Sequence, residues 1–186
     1  MSTITEKTIN LKDGRVATIR SATPRDAAKI LTLVHANLEE GEFVLSTPED
    51  FRMTQEMEEA WIQNNLDDPC KLVIIAEYEG GVLGMLNFAN GARKRIAHQG
   101  EFSMSVAKTV RDQGIGRALL STLLSWAREQ PTIEKVELQV FANNARAIAL
   151  YTSLGFKEEG RLSGRIKMAP GVYIDTIEMG QWVKER

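Results

Sequence analysis

The sequence predicts a mixed α/β fold, and three stretches carry that prediction. From Phe102 to Val106 the residues alternate, Phe102, Met104 and Val106 against Ser103 and Ser105, which is the period of a strand. Directly afterwards Ile115, Leu119, Leu123 and Ala127 recur at helical spacing, with Leu120, Leu124 and Trp126 widening the stripe. A second strand-to-helix passage comes next, with Val136, Leu138 and Val140 in the strand. The next helix is capped by Asn143 or Asn144, and its inner face is Ala147, Leu150, Tyr151 and Leu154.

The other elements fit around these. Val16 to Arg20 alternate as a first strand. Thr23-Pro24-Arg25-Asp26 starts a helix, with Thr23 as N-cap, Pro at its first position and Asp26 at its third. Its stripe of Ala27, Ile30, Leu31, Val34 and Leu38 is stopped by Gly41. Thr47-Pro48-Glu49-Asp50 repeats the start signal, so a second helix is expected from there, carrying Phe51, Met57, Trp61 and Ile62 and ending before Asp67-Asp68-Pro69. Lys71–Tyr78 and Val82–Phe88 read as a β-hairpin turned at Glu79-Gly80-Gly81. Ala89 to Gln99 is a polar connection. After Gly155, placed where a helix ends in the left-handed conformation, Phe156–Ile166 and Val172–Trp182 are strands turned at Pro170-Gly171.

The loop after the central strand carries the first chemical signal. Arg111-Asp112-Gln113-Gly114-Ile115-Gly116-Arg117 runs from a strand end into a helix start. The first-turn N–H groups of a helix lack acceptors and sit at the positive end of its dipole, so this is a place for an anion. Gly114 and Gly116 carry no Cβ to hold a phosphate away from the backbone. Arg117, a cation in the first turn, opposes the dipole unless an anion lies between them. The loop is not a Walker motif, because no Lys-Ser/Thr comes after it. It is not the dinucleotide fingerprint either, because Leu119 stands where the third glycine would be.

Composition sets broad limits. With 186 residues, of which 43% are hydrophobic, a single domain spanning residues 1–186 is expected. A net charge of −2 without a basic run gives no electrostatic footprint for nucleic acid. The polar Met-Ser-Thr-Ile-Thr-Glu-Lys start gives no sign of a leader or a membrane segment. Cys70 is alone, which points to a reducing cytoplasm and to a structural thiol. No metal site is expected, and His35 and His98 read as structural or turn histidines. The run from Glu39 to Asp68 is strongly acidic, with Arg52 almost its sole cation. It is either a solvated face or a lip that draws in a cationic substrate.

Two of these stretches together resemble a known family. Arg-x-x-Gly-x-Gly between a strand and a helix is similar to the pyrophosphate loop of the GCN5-related N-acetyltransferases. Asn-x-x-Ala-Ile-x-Leu-Tyr-x-x-x-Gly-Phe, from Asn144 to Phe156, resembles the second block of that superfamily, one helix and one strand later. The layout matches over nearly the whole chain. Arg-Ile-Ala-His before the central strand and Gly-Val-Tyr-Ile-Asp-x-x-x-Met near the end resemble a bacterial branch acting on polyamines and amino acids.

The resemblance implies a three-layer fold, with a mixed, mostly antiparallel sheet splayed between its fourth and fifth strands and helices on both faces. It implies acetyl-CoA as co-substrate and a small-molecule amine as acceptor, with monomer or homodimer left open. Met104, Ser105 and Val106 would pair with the pantetheine arm. Arg111, Asp112, Gln113, Gly114, Ile115, Gly116 and Arg117 would hold the pyrophosphate through main-chain N–H groups and flanking arginines. Asn144 would contact the pantetheine or the acetyl end, and Tyr151 would face the sulfur as general acid. Glu101 is the first candidate for the base, with Asp175, Glu178 and Glu42 as alternatives. Two other readings stay open: acetylation of a protein N-terminus or lysine, and a non-catalytic acyl-CoA-binding module.

Overall fold

Eight strands lie side by side in one sheet and, numbered along the chain, follow the order 1-2-3-4-5-6-8-7. The computed structural model describes residues 2–185. In chain order the elements are β1 (Lys7–Asn10), β2 (Val16–Ser21), α1 (Ala27–Glu40), α2 (Gln55–Asp67), β3 (Lys71–Tyr78), β4 (Gly81–Asn90) and β5 (Gln99–Val106). Then come α3 (Ile115–Glu129), β6 (Lys135–Phe141), α4 (Ala145–Ser153), β7 (Lys157–Ala169) and β8 (Val172–Trp182). No helix among the described residues is long and apolar enough to cross a membrane.

Period-two alternation sorts the sheet into two cores. On β3, Val73 and Ile75 face α1 and α2, where they meet Ile30, Leu33 and Ile62. Leu72, Ile74 and Ala76 face the other way and pack with Leu86, Phe88 and Phe102 under Leu119, Leu120 and Leu123 of α3. The β3–β4 turn places Glu79 at φ 46° and Gly80 at φ 77°. Two successive positive φ values match the twist of the flanking strands.

Two expectations need correction. The chain has an additional first strand, β1, paired antiparallel with β2; it is short and polar, and so gives no alternation signal. The second helix begins at Gln55 under the cap of Thr54, whose side chain accepts from Met57 N. Thr47–Asp50 is instead a closed turn, with Asp50 accepting from the Thr47 N–H and hydroxyl at 3.0 and 2.9 Å. A Thr-x-x-Asp cap signal is satisfied equally by a helix start and by an isolated turn. At the first helix the same signal works as expected. The Thr23 N–H donates to Asp26 at 2.8 Å, and a single turn of 3₁₀ helix leads into α1. Arg20 clamps Asp26 at 2.8 Å, and Gly41 ends α1 at φ 66°.

The sheet comes apart between β5 and β6, which are the fourth and fifth strands when counted from Val16. The two strands run parallel and pair only over Gln99–Glu101 with Lys135–Glu137. Beyond that point β5 stays on β4, as far as Val106 against Gly84, and β6 stays on β8, as far as Phe141 against Thr176. The β6-side edge of Phe102–Val106 therefore has no strand partner.

Candidate active site

Two cavities occupy the splay. One, of about 500 Å³, runs along the glycine loop and the start of α4. The other, of about 460 Å³, lies between β5 and β6. They share Phe43, Val44, Met104, Ser105, Asn144 and Tyr151. Phe43 stands in the left-handed region at φ 57°, and its ring meets Phe141 of β6 edge-on at 6.2 Å. The loop after α1 thus arches over the gap.

The glycine loop is built as an anion seat. Gly114 adopts φ 97°, and the first α3 amide to find a carbonyl is Ala118 N, on Gly114 O at 3.0 Å. The N–H groups of Ile115, Gly116 and Arg117 come before it, at the positive end of the helix. A Cβ on Gly116 would sit 3.3 Å from Leu150 and 3.5 Å from Met104, partly filling the cradle. Arg117 donates to Ser153 Oγ at 2.7 Å across the mouth of the cavity, and Arg146 lies 3.8 Å from Asp112.

Two loop residues do something other than the resemblance implies. Arg111 is a strut: its guanidinium chelates Glu40 at 2.6 and 2.5 Å and donates to Val106 O at 3.3 Å. That hydrogen-bonded arginine holds the Glu40 carboxyl below its ordinary range. Gln113 points away, accepting from Asp13 N at the tip of the β1–β2 hairpin, and does not line the cavity. The remaining predicted residues, Met104, Ser105, Val106, Asp112, Gly114, Ile115, Gly116, Arg117, Asn144 and Tyr151, all line it, as does Arg111.

Asn144, not Asn143, caps α4, accepting from Ala147 N at 3.2 Å. Tyr151, further along the same helix, is 9% exposed, its ring held edge-on to Phe102 at 5.8 Å. Its hydroxyl has no hydrogen-bond partner among the described residues. Burial pushes the phenol up to about 12, so it stays protonated throughout the neutral range. Glu101 lines the same inter-strand cavity as Tyr151. Burial, then the charges of Glu178 and Glu137, push its carboxyl above the ordinary value. Of the alternative bases, Asp175 is tied to Gly164 N at 2.8 Å and lies near Arg161, and Glu178 accepts from Gln139. Glu42 lines the loop-side cavity.

A family model described as "Acetyltransferase (GNAT) family" matches residues 36–156, which include both the glycine loop and the α4 block. The chain belongs to the GNAT acetyltransferase family. It is an acyltransferase, and acetyl-CoA is the co-substrate. It is 27% identical over 121 residues to the L-amino acid N-acetyltransferase AaaT of Escherichia coli, covering 65% of this chain and 74% of that protein. It is 24% identical over 132 residues to the spermidine N(1)-acetyltransferase of Vibrio cholerae, covering 68% and 75%. yncA of Salmonella typhimurium, solved with its cofactor acetyl-CoA, has the same fold, with a TM-score of 0.81 at 23% identity over 91% of this chain and 95% of that one.

Sequence reasoning missed several residues of this GNAT site. Lys12 reaches the loop-side cavity from the β1–β2 turn, and Asn37 reaches it from α1 with a buried side-chain nitrogen that has no partner among the described residues. Phe43 and Val44 roof the gap. None sits in a motif, and only their distance across the fold marks them.

Proposed function

We propose that the protein transfers the acetyl group of acetyl-CoA to a primary amine of a small acceptor, by direct attack within the cavity between β5 and β6. The observation that carries this reading is Tyr151. The residue is buried and lines both the loop-side and the inter-strand cavity, and its hydroxyl has no partner among the described residues.

The residues present suit the cofactor. The free first-turn amides of α3, with Arg117, Arg146 and Lys12 around them, suit a pyrophosphate and a further phosphate. The unpaired edge of β5 suits an extended pantetheine, which would add to the sheet as a strand does. When bound, acetyl-CoA supplies an activated acyl group and a thiolate leaving group. Glu101 takes the proton that an ammonium acceptor must lose before it can attack, directly or through water. Its raised carboxyl value brings it nearer the range where a base is useful. Tyr151 donates its proton to the departing thiolate. A phenol near 12 gives up that proton less readily than a free tyrosine, but it is always in the donating form. A backbone N–H near Val106 would be the donor that stabilises the acyl oxygen.

Mixing the protein with acetyl-CoA and a panel of small primary amines, and reading free thiol, tests the proposal. Amine-dependent thiol release is the expected outcome. Stabilisation by acetyl-CoA without release from any amine would return the chain to a non-catalytic acyl-CoA-binding module. Release only with protein N-termini or lysines would move the acceptor to a macromolecule.

A further inference from the structure

The acidic run between α1 and β3 is less uniform in three dimensions than in sequence. Glu40 is paired with Arg111, Asp50 with Thr47, Glu59 with Gln55, Asp67 with Gln63, and Asp68 with Lys71 and Cys70 N. Glu58 differs. It is 6% exposed, on the inner face of α2 with Trp61 and Ile62, and its carboxylate has no hydrogen bond or ion pair among the described residues. It lines a third cavity, of about 200 Å³, whose other walls include Val34, Phe51, Met53, Trp61 and Met85. The polar groups on the β-sheet side are already engaged in part, Ser103 donating to Asn87 at 3.0 Å. Burial pushes the Glu58 carboxyl above its ordinary value.

A carboxylate in a cavity lined mostly by methionines, aromatics and valine, with Asn87, Ser103 and Ser105 as its other polar side chains, gains from a cationic partner. Among the described residues no cation supplies one there, and Glu58 is the sole charged residue of these lining the cavity. The cavity has an open neighbour. Val34, Phe51, Ser103, Met104 and Ser105 line both it and the inter-strand cavity that holds Glu101 and Tyr151.

We propose that Glu58 anchors a second cationic group of the acceptor, so that the substrate class is a flexible aliphatic diamine or longer polyamine. This rests on the acetyl-transfer reading above. One amino group lies beside Glu101 and Tyr151 and reacts. The methylene chain crosses β5 at Ser103–Ser105, and the far ammonium is seated against Glu58. The faces of Phe51 and Trp61 supply further attraction for a cation, and Met53, Met85 and Val34 cover the methylenes. Glu58 is a specificity-determining residue here and takes no part in bond making. A monoamine of equal length leaves the carboxylate in the cavity without a partner, and this is how a polar pocket rejects an analogue that lacks the matching group.

The test compares putrescine, cadaverine and hexamethylenediamine with butylamine, pentylamine and hexylamine. Binding is measured calorimetrically on the CoA-saturated protein, and kcat/KM is measured with acetyl-CoA. In the wild type the best-fitting diamine should bind about 10- to 100-fold tighter than its matched monoamine, the range expected for one desolvated charge pair. Glu58→Gln should erase that preference and leave the monoamines within about 2-fold, the size of an ordinary surface effect. Melting temperature and CoA binding should be retained, because glutamine keeps the shape and removes an unpaired charge. Glu58→Met should reproduce the loss of preference with a second side chain. Equal wild-type affinity for diamines and monoamines overturns the proposal. So does a Glu58→Gln defect shared equally by both series, which would make Glu58 a base or a structural residue. If no amine is acetylated, the acetyl-transfer reading fails for small amines while the binding comparison still decides Glu58. Turnover without a diamine preference sinks the Glu58 anchor alone.

Discussion

The cofactor seat and the acceptor pocket are made of different materials. The proposed seat is nearly contiguous: the Arg111–Arg117 loop, apart from Gln113, and the helix that starts at Asn144 supply most of it, with the free first-turn amides of α3 among its groups. The proposed acceptor site is assembled from single side chains on α1, the following loop, α2, β4, β5, β6 and α4, with Glu101 and Glu58 as its charged members. Backbone-built sites impose spacing on the sequence, because glycines and caps must recur at fixed offsets. Side-chain-built pockets impose only identity at scattered positions. A family can therefore hold its cofactor chemistry constant while the acceptor changes one residue at a time.

If that contrast is right, substitutions in the two regions should separate cleanly. The largest effect falls where they meet. Tyr151→Phe removes a hydroxyl and keeps the packing against Phe102 and Phe156. Its kcat should fall by about 10²–10⁴-fold, the usual worth of general acid catalysis. The KM for acetyl-CoA should change little, and donors with better leaving thiols should recover part of the loss. A wild-type kcat would make Tyr151 a packing residue only.

On the cofactor side, Gly116→Asp puts a side chain and a negative charge into the anion seat. Acetyl-CoA at about 100 times its Kd stabilises a native state by about 2.7 kcal/mol, or roughly 5–10 °C for a chain of this size. The variant should lose that shift while the intrinsic melting temperature stays close to wild type. A retained shift would break the assignment of the seat. ATP stabilising the wild type as strongly as acetyl-CoA would break it too.

The smallest expected effect is at Glu101. A base must be unprotonated to act, and this carboxyl is raised by burial and by Glu178 and Glu137. The acid limb of kcat/KM should therefore fall at a pH above the ordinary glutamate value, with activity lost as pH drops through it. Glu101→Gln should flatten that limb and cost about 10- to 100-fold at neutral pH, near the low end for general base catalysis. An unchanged limb in the variant would pass the role to another group.

The same contrast explains what could be read in advance. The β5–α3 and β6–α4 passages, the Gly41 and Gly155 stops and the β3–β4 hairpin were legible, because each leaves a periodic or capping signal. The start of α2 was not, because Thr47-Pro48-Glu49-Asp50 satisfies itself as a turn. Arg111 looked like a phosphate ligand because its partner, Glu40, lies 71 residues away in sequence. Glu58 was hidden among acidic neighbours of similar appearance. Only burial sets it apart, and burial of one helical position depends on the tilt of α2 against the sheet.

The seam between β5 and β6 has a consequence for how the molecule assembles. Three residue pairs of parallel ladder join a β1–β5 half, with hairpins local in sequence, to a β6–β8 half closed by its own long hairpin. Each half holds its strands by at least four residue pairs at every junction, whereas the seam has the fewest pairs of any junction in the sheet. The seam is therefore the place in the sheet where fraying costs the fewest strand pairs. The gap proposed to admit the substrates is where the strands hold one another by the fewest pairs, so a strand-like ligand there would complete the sheet as well as enter the reaction.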